Sequence, residues 1–158
     1  MIHIRPAQHA DLSQLAALCV LLWPEGSVEE HRAELATSLA TGMNGTLPAA
    51  VFVAHDDAGA LIGFLEVGLR SHADGCDTAQ PVGFIEGWFV LEQHRGRGVG
   101  RALMHAAEDW SRACGCLEIA SDALIDNSPS HHAHRALGFE VVDRCVHFRK
   151  PLRPPSPR

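Results

Sequence analysis

The chain has 158 residues, 46% of them hydrophobic, and a formal charge of −6, as expected of one ordinary globular domain. Its mean hydropathy of −0.01 and its 20% of charged residues argue against disorder, which needs fewer apolar residues and more charge. The longest apolar stretch, Leu15 to Trp23, is about half of the roughly 20 residues of a membrane span. The acidic balance argues against nucleic acid or an anionic membrane surface as main partner and would attract a polycation.

The N-terminal sequence and the cysteines give an expectation for the compartment. Residues 1–6 lack the basic region, the apolar run and the cleavage site of a secretory signal. Five cysteines are an odd number in a domain large enough to fold without cross-links, so we expect reduced thiols. Both observations favour a cytosolic protein.

The first quarter of the chain predicts one short strand and two helices. Residues 2–5 alternate in polarity as a strand does. Helical spacing follows from Asp11 to Trp23, where the next residue is a proline that disfavours the helical conformation of its predecessor. Ser27 begins a sequence typical of a capping box, in which Ser and a Glu three residues later satisfy free amides, so a second helix is predicted to about Ala40.

The middle of the chain predicts a hairpin and a third long strand. Three apolar runs have strand-like composition: residues 50–55, 61–70 and 82–91. Asp56-Asp57-Ala58-Gly59 between the first two favours a tight turn, and the polar residues 71–81 predict a loop. Gly83 and Gly87 within the third run indicate a β-bulge or the close approach of another segment.

The last third predicts two helices separated by a short strand. A helix is expected from Gly100 to about Ala113, then a strand over 117–121. Asn127-Ser128-Pro129 begins a fourth helix that ends before Gly138, because Asn caps free amides and Pro suits the first helical turn. Two more strands are predicted over 140–143 and 145–150. The element order predicts a mixed α/β sheet with helices on its faces, a single domain over 1–150 and a proline-rich tail, 151–158.

A glycine-rich segment lies between the third long strand and the third helix. Its sequence is Arg95-Gly96-Arg97-Gly98-Val99-Gly100-Arg101. Glycines let the backbone approach an anion closely, and the free amides at a helix N-terminus point at a phosphate. The segment therefore predicts a pyrophosphate site, although a purely structural turn would have a similar pattern. It lacks the Lys-Ser/Thr pair of a P-loop.

Arg95, Gly98 and Gly100 match the signature Arg/Gln-x-x-Gly-x-Gly/Ala of the GNAT superfamily of N-acetyltransferases, which this sequence resembles from Ile2 to about Lys150. The resemblance implies a GNAT-type fold, with a mixed, mostly antiparallel central sheet and about four helices on its faces. It implies acetyl-CoA as cosubstrate and no metal. It also implies the cofactor contacts: the backbone of Trp88, Phe89 and Val90 along the pantetheine arm, the segment Arg95 to Arg101 on the pyrophosphate, and Asn127.

Several short segments are similar to aminoglycoside 6'-N-acetyltransferases. They are Leu22-Trp23-Pro24, Gly75-Cys76-Asp77, Phe84-Ile85-Glu86-Gly87, Ala120-Ser121-Asp122 and Ala136-Leu137-Gly138-Phe139-Glu140. This narrower resemblance implies acetyl transfer to the 6'-amino group of a cationic small-molecule substrate, and a homodimer. We expect the substrate site to be lined by Trp23, His72, Glu86, Asp122 and Asp143.

The chemistry of these residues agrees with a polycationic substrate. Carboxylates give charge-assisted hydrogen bonds to ammonium groups, and Trp23 offers a flat face to a sugar or a cation. Glu86 stands in an apolar strand where an unpaired carboxylate would be costly, and we take Glu86 or Asp122 as the base. Structural alternatives stay open: Trp23 in the core, Asp122 closing a turn, and Asp143 as a solvated charge.

The sequence contains no tyrosine. Many relatives use a tyrosine on the fourth helix to protonate the departing thiolate, and His134 occupies that position here. Imidazole can donate this proton, so His134 is the candidate acid, and a helix residue without catalytic function is the alternative. His72 stands where relatives often carry an aromatic residue. A metal site is not expected, because the nearby histidines lie on different helix faces and no Cys-x-x-Cys pair accompanies them.

Other functions stay open at this point. Acetylation of a polyamine, another small amine or a protein N-terminus would use the same cofactor site. A CoA-binding sensor without catalysis would also keep the glycine-rich segment. A peptide site would usually need strand edges that pair with its backbone, whereas a polyamine would use the same carboxylates as an aminoglycoside, so the polyamine alternative stays open.

Overall fold

The computed structural model describes residues 1–158, with six strands in one sheet and four α-helices. In chain order the elements are β1 (His3–Pro6), α1 (Leu12–Leu22), α2 (Val28–Thr41), β2 (Met43–Asn44), β3 (Leu47–His55), β4 (Leu61–Arg70), β5 (Val82–Val90), α3 (Val99–Ala113), β6 (Ile119–Ser121) and α4 (Ser128–Ala136). None of the helices has the length and apolar character needed to cross a membrane.

The sheet has the strand order β1-β3-β4-β5-β6, with β2 pairing to β3 beside β1. Every pair is antiparallel except β5 with β6, which is parallel. The predicted mixed, mostly antiparallel α/β fold is therefore confirmed. The single parallel pair comes last, so it places the N-terminus of α3 and the start of α4 at the same end of the sheet.

Side chains alternate between the two faces of the sheet and build two separate cores. On β3, Val51 and Val53 pack toward α1 and α2, whereas Phe52 and Ala54 pack toward α3. Such alternation follows from the two-residue period of a strand. The buried central strands β4 and β5 thus lie between two helical layers, and each face of β5 has different surroundings.

Local capping signals set the helix boundaries as predicted. Ser27 Oγ accepts from the Glu30 amide at 3.1 Å, and the Glu30 carboxylate accepts from the Ser27 amide at 2.9 Å, which completes the capping box. Asp11 precedes α1 and pairs with Arg5 through two hydrogen bonds of 2.7 and 2.9 Å. Asn127 Oδ1 accepts from the Ser130 amide at the start of α4. Short-range hydrogen bonds therefore decide these boundaries.

The two glycines of β5 lie at a β-bulge and at close approaches of other segments, the two features that the sequence indicated. Glu66 of β4 pairs with Gly87, whereas Val67 pairs with Ile85, so Glu86 is the extra residue of a β-bulge. A side chain at Gly83 would overlap Ser111 of α3, and one at Gly87 would overlap the indole of Trp23. The bulge turns Glu86 out of the regular ladder.

The two C-terminal strands predicted over 140–143 and 145–150 are wrong for this structure, because residues 140–150 form no strand and are exposed. The alternating apolar residues are present, but no strand of the same chain pairs with them. The strand predicted over 117–121 is also shorter, and Met43–Asn44 form a short strand with β3 that the sequence did not predict. Assignment of 1–150 to a single domain with a tail at 151–158 stays a prediction.

Candidate active site

A cleft opens where β5 and β6 part. The two strands pair only through Gly83 with Ile119, Phe84 with Ala120 and Ile85 with Ser121. β6 ends at Ser121, while β5 continues to Val90. The edge of β5 over residues 86–90 therefore has no neighbouring strand, and its backbone groups can pair with an extended ligand. This stretch includes Trp88, Phe89 and Val90.

The glycine-rich segment forms the entrance to α3 at one side of this cleft. Gly96 has φ +71° and Gly98 has φ +84°, a region that side-chain-bearing residues rarely adopt. Gly98 caps α3, so the amides of Val99, Gly100 and Arg101 in the first turn have no intrahelical acceptor. Both positive φ values point to a specific backbone shape. This shape suits a phosphate at the positive end of the helix dipole.

Two of the arginines in this segment have structural contacts. Arg95 Nε donates to the Val90 carbonyl at 2.9 Å, and its guanidinium lies 5.8 Å from the Phe89 ring centroid. Arg101 donates to the Ala136 carbonyl at 3.4 Å, and Arg97 is exposed. Arg95 therefore connects the turn to the end of β5, and the backbone amides at the start of α3 stay available for an anion.

Trp88 connects β5 to both neighbouring helices. Its indole N–H donates to the Gly100 carbonyl at 3.2 Å, and a Cβ at Gly100 would lie 3.1 Å from the indole. On its other side the indole meets His134 of α4 edge to face, with ring centroids 5.2 Å apart. The close approach of the indole, rather than the φ angle, favours glycine at position 100.

His134 has a partner on each ring nitrogen. Nδ1 donates to the Ser130 carbonyl at 2.7 Å, and because a carbonyl only accepts, this fixes the proton on Nδ1 in the neutral ring. Nε2 lies 2.8 Å from the hydroxyl of Ser121 and accepts from it. Ser121 is the last residue of β6. It lies at the point where β5 and β6 separate, which we call the vertex of the cleft. His134 therefore reaches the cleft through Ser121.

The sequence-predicted carboxylates Glu86 and Asp122 lie together at the vertex, and Arg70 lies with them. Arg70 Nε and Nη2 donate to the two carboxylate oxygens of Glu86 at 3.0 and 2.9 Å, and its guanidinium covers the Phe84 ring at 3.5 Å. The hydrogen bonds to Glu86 raise the pKa of Arg70, and the nearby charge of Asp122 adds to this effect. Glu86 is thus a paired carboxylate, which removes the cost that an unpaired one would have in an apolar strand.

Trp23 ends α1 and forms a wall over β5. Its indole lies against Gly87, and its ring centroid is 5.9 Å from those of Phe64 and His31. Its carbonyl accepts from His31 Nε2 at 3.1 Å. The half-buried indole packs on the core, as the structural alternative predicted, and it also borders the vertex of the cleft.

The remaining predicted site residues have no contact with the vertex. His72 is exposed on the 71–81 loop, where Ser71 is its hydrogen-bond partner. Asp143 is exposed on the C-terminal segment and accepts only from the amide of Arg144. Asn127 is exposed and caps α4. No group of three or more His, Cys, Asp or Glu side chains is arranged to hold a metal ion.

Comparison with known proteins decides the family. The model of the acetyltransferase (GNAT) family matches residues 15–139. The chain belongs to this family. Aminoglycoside N(6')-acetyltransferase type 1 of Stenotrophomonas maltophilia is 44% identical over 151 residues, which cover 96% of this chain and 94% of that protein. The family assignment confirms the resemblance carried by Arg95, Gly98 and Gly100.

Solved structures agree with the GNAT fold of this chain. Aminoglycoside 6'-N-acetyltransferase AAC(6')-Ih from Acinetobacter baumannii has a TM-score of 0.84 at 33% identity, covering 97% of this chain and 100% of that chain. AAC(6')-Iy in complex with the bisubstrate analogue CoA-S-monomethyl-acetylneamine has a TM-score of 0.85 at 35% identity, covering 96% and 99%.

The sequence did not single out three residues near the cleft of this GNAT chain: Arg70, Glu66 and Ser121. Arg70 and Glu66 lay within a run interpreted only as an apolar strand, and Ser121 was noted only as part of a motif. A charged residue between Leu65 and Val67 carries the same signal that singled out Glu86. The partners Arg70 and Ser121 depend on strand pairing and could not be assigned from local sequence.

Proposed function

We propose that this chain transfers the acetyl group of acetyl-CoA to the 6'-amino group of aminoglycosides, by direct attack in a ternary complex. The observation that carries the proposal is the parting of β5 from β6 beside a glycine-rich helix entrance, with carboxylates at the vertex. Similarity to enzymes named for this activity supports it.

The α3 side of the cleft suits CoA. An extended pantetheine arm can pair with the free edge of β5 at Trp88, Phe89 and Val90, in the same way as an added strand. The amides of Gly98 to Arg101 then meet the pyrophosphate, and the exposed Arg97 adds positive charge. We also assign Asn127, at the start of α4, to the contacts with CoA. The residues present therefore fit this cosubstrate.

The opposite side of the cleft suits a polycation. Glu86 and Asp122 carry two negative charges against the one positive charge of Arg70, which leaves a net negative vertex. Trp23 adds a flat apolar wall. We assign His72 and Asp143 to the outer part of the acceptor site, where the 71–81 loop meets the C-terminal segment: a Cβ at Gly75 would overlap Val142. Charge-assisted hydrogen bonds then orient the acceptor.

The acetyl transfer itself requires a neutral amine. The substrate ammonium loses a proton to a carboxylate at the vertex, for which Glu86 and Asp122 are the predicted candidates, and its nitrogen attacks the thioester carbonyl. Backbone amides at the free edge of β5 stabilise the oxyanion. The sulfur leaves as a thiolate and takes the second proton of the new amide nitrogen, which can pass through the hydroxyl of Ser121, positioned by the predicted acid His134. A thiol has a reference pKa near 8.5, so a thiolate departs readily.

An acceptor panel tests this function. The protein is mixed with acetyl-CoA and kanamycin, with spermidine, with a 6'-hydroxyl aminoglycoside, or with no acceptor, and free thiol is followed. We expect rapid release with kanamycin and slow release with the others. Release with spermidine alone would transfer the assignment to polyamines. Binding of acetyl-CoA with no release in any mixture would indicate a sensor.

We infer that the chain forms a homodimer in the cytoplasm. Apolar residues of the C-terminal segment are exposed, including Val142 at 62%, Val146 at 73% and Phe148 at 93%, and their strand-like alternation suits pairing with a second copy. The five free cysteines fit a reducing compartment. Sedimentation equilibrium should give twice the monomer mass of 17.1 kDa, and a monomer at micromolar concentration would contradict the dimer.

A further inference from the structure

Glu66 occupies an unusual place beside the cleft. It lies in the middle of β4, one of the two central strands, on the face covered by α1 and α2. Its antiparallel partner is Gly87, the residue that follows the bulge. Directly opposite residues project to the same face with Cβ positions about 4.5–5.5 Å apart. Because Gly87 has no side chain, the indole of Trp23 and the side chain of Leu22 lie over the backbone there, next to the acceptor side of the cleft.

The carboxylate of Glu66 has no structural partner. It takes part in no hydrogen bond with another side chain and in no salt bridge, whereas the neighbouring Glu86 holds Arg70 through both oxygens. The side chain is half-buried, and a carboxylate that is partly desolvated without a charged partner lowers stability, so packing does not explain its presence. A cationic acceptor would give it the missing partner.

The groups that face Glu66 come from three elements. Glu86 faces it from β5, Glu34 and His31 face it from α2, and Cys19 of α1 lies within reach of its charge. Burial, then Glu86 and then Glu34 raise the pKa of Glu66 to about 7, and His31 lowers it. Burial, with Glu66 and Glu34, raises the pKa of Cys19 to about 12, so this thiol is neutral. A carboxylate that ionises near neutral pH can take and release a proton in each turnover.

We propose that Glu66 is the carboxylate that takes the proton of the acceptor's ammonium group, an assignment that rests on the acetyl transfer proposed above. The ammonium N–H bond breaks and a Glu66 O–H bond forms. The freed nitrogen lone pair attacks the thioester carbon, and the C–S bond then breaks with its electron pair on sulfur. The second proton of the new amide nitrogen goes to the thiolate, and Glu66 releases its proton to solvent.

Ion pairing explains why Glu66 rather than Glu86 has this function. Both oxygens of Glu86 already accept from Arg70, so this carboxylate would have to give up part of its ion pair to take a proton, whereas Glu66 has no such partner. Asp122 is exposed and lies beyond the end of β6. Glu86 and Asp122 then hold the ammonium groups of the substrate, while Glu66 accepts the proton.

The test is the pH dependence of kcat/KM for kanamycin at saturating acetyl-CoA, in the parent and in Glu66→Gln. We expect the parent to show an acidic limb near pH 7 in addition to the limb of the substrate amine. Glu66→Gln should be about 10²-fold slower at pH 8 and should lack the limb near pH 7. Glu66→Asp should keep that limb and recover part of the rate.

Glu34→Gln is the matched control. Glu34 is exposed on α2, and its charge is one of those that disfavour ionisation of Glu66. Its removal should move the limb to lower pH and leave the rate at pH 8 within about twofold. A limb that stays in place in Glu34→Gln would contradict the assignment, even if Glu66→Gln failed to fold.

The outcomes separate this inference from the proposed function. If the parent protein acetylates no aminoglycoside, the proposed function itself is contradicted before any variant is compared. An active parent with Glu66→Gln unchanged in rate and in pH profile would overturn the assignment of Glu66 and leave the function intact. Calorimetric binding of acetyl-CoA, expected to be the same within twofold in all variants, verifies that each variant is folded.

Discussion

The two faces of β5 present different chemical groups to the two proposed ligands. On the α3 side, the candidate CoA site is made mainly of backbone: the free strand edge and the amides that follow Gly98. On the side of α1 and α2, the candidate acceptor site is made of side chains, including Glu66, Glu86 and Arg70. Backbone recognition requires particular residues at fixed local spacing. Recognition by side chains depends on which strands become neighbours.

Gly98→Val should disrupt the candidate CoA site, which is made mainly of backbone groups. Valine is strained at φ +84°, and its side chain would enter the space required by the pyrophosphate. Losing one or two charge-assisted hydrogen bonds should raise the KM for acetyl-CoA by about tenfold to hundredfold. Steady-state kinetics with varied acetyl-CoA measures this effect.

Gly115→Val is the matched control, since Gly115 has φ +85° and also faces open space, but at the C-terminal end of α3. Both variants should lose a similar amount of stability, about 1–2 kcal/mol. An equal rise of KM in both would mean that strain, and not the anion site, causes the effect.

Glu66→Gln should stabilise the folded protein at alkaline pH. The ordinary pKa of 4.5 is raised to about 7 in the folded state, so the native protein binds this proton more tightly than the unfolded chain does. The resulting loss of stability is absent below pH 4.5, grows as the pH rises through this window, and is complete above pH 7. Glutamine removes it and should add about 1–3 kcal/mol to the free energy of unfolding at pH 8.

Urea unfolding at pH 4 and pH 8 measures this stabilisation. The difference between variant and parent should be small at pH 4 and larger at pH 8. A difference that is independent of pH would show that ionisation of Glu66 is not the cause.

Asp122→Asn tests whether the side chains of the candidate acceptor site bind the substrate. Loss of a charge-assisted hydrogen bond should raise the KM for kanamycin by about tenfold and leave that for acetyl-CoA nearly unchanged. Added salt should weaken the activity of the parent, because ions screen charges beyond about 8–10 Å. Asp126→Asn, an exposed carboxylate in the same connection, is the control and should behave as the parent does.

The smallest effect is expected at His134. Both ring nitrogens have partners, and the thiolate leaves readily, so His134→Phe should lower kcat by less than the roughly 10²-fold of a weak general acid. Ser121→Ala should have a similar effect, and the double variant should be no slower than either single one, since both remove the same relay. Additive losses in the double variant would argue against a relay.

Prediction from sequence succeeded where the signal was local. The capping box at Ser27, the turn after His55 and the glycines at 98 and 100 each depend on neighbouring residues, and each was predicted from them. Gly83 and Gly87 indicated the bulge, although not which residue it displaces. The pattern over 140–150 predicts strands that find no partner within this chain, because a strand needs a neighbour as well as a sequence.

The acceptor site was less predictable for the same physical reason. Glu86 was selected as a charge in an apolar strand, yet its partner Arg70 is 16 residues away and becomes its neighbour only through the pairing of β4 with β5. Glu66 carries the same signal as Glu86, and it is the ion pair of Glu86 with Arg70 that distinguishes the two carboxylates. His134 was selected as a candidate acid, and its hydrogen bond to Ser121 of β6 appears only when α4 packs beside that strand.

The site of acetylation tests the central claim most directly. The protein is incubated with kanamycin and [¹³C]acetyl-CoA, and the product is mapped by two-dimensional NMR. If the acceptor face of β5 orients an aminoglycoside as proposed, a single labelled acetyl group will be found on the 6' nitrogen. Label on another nitrogen, on several nitrogens or only in free acetate would contradict the account.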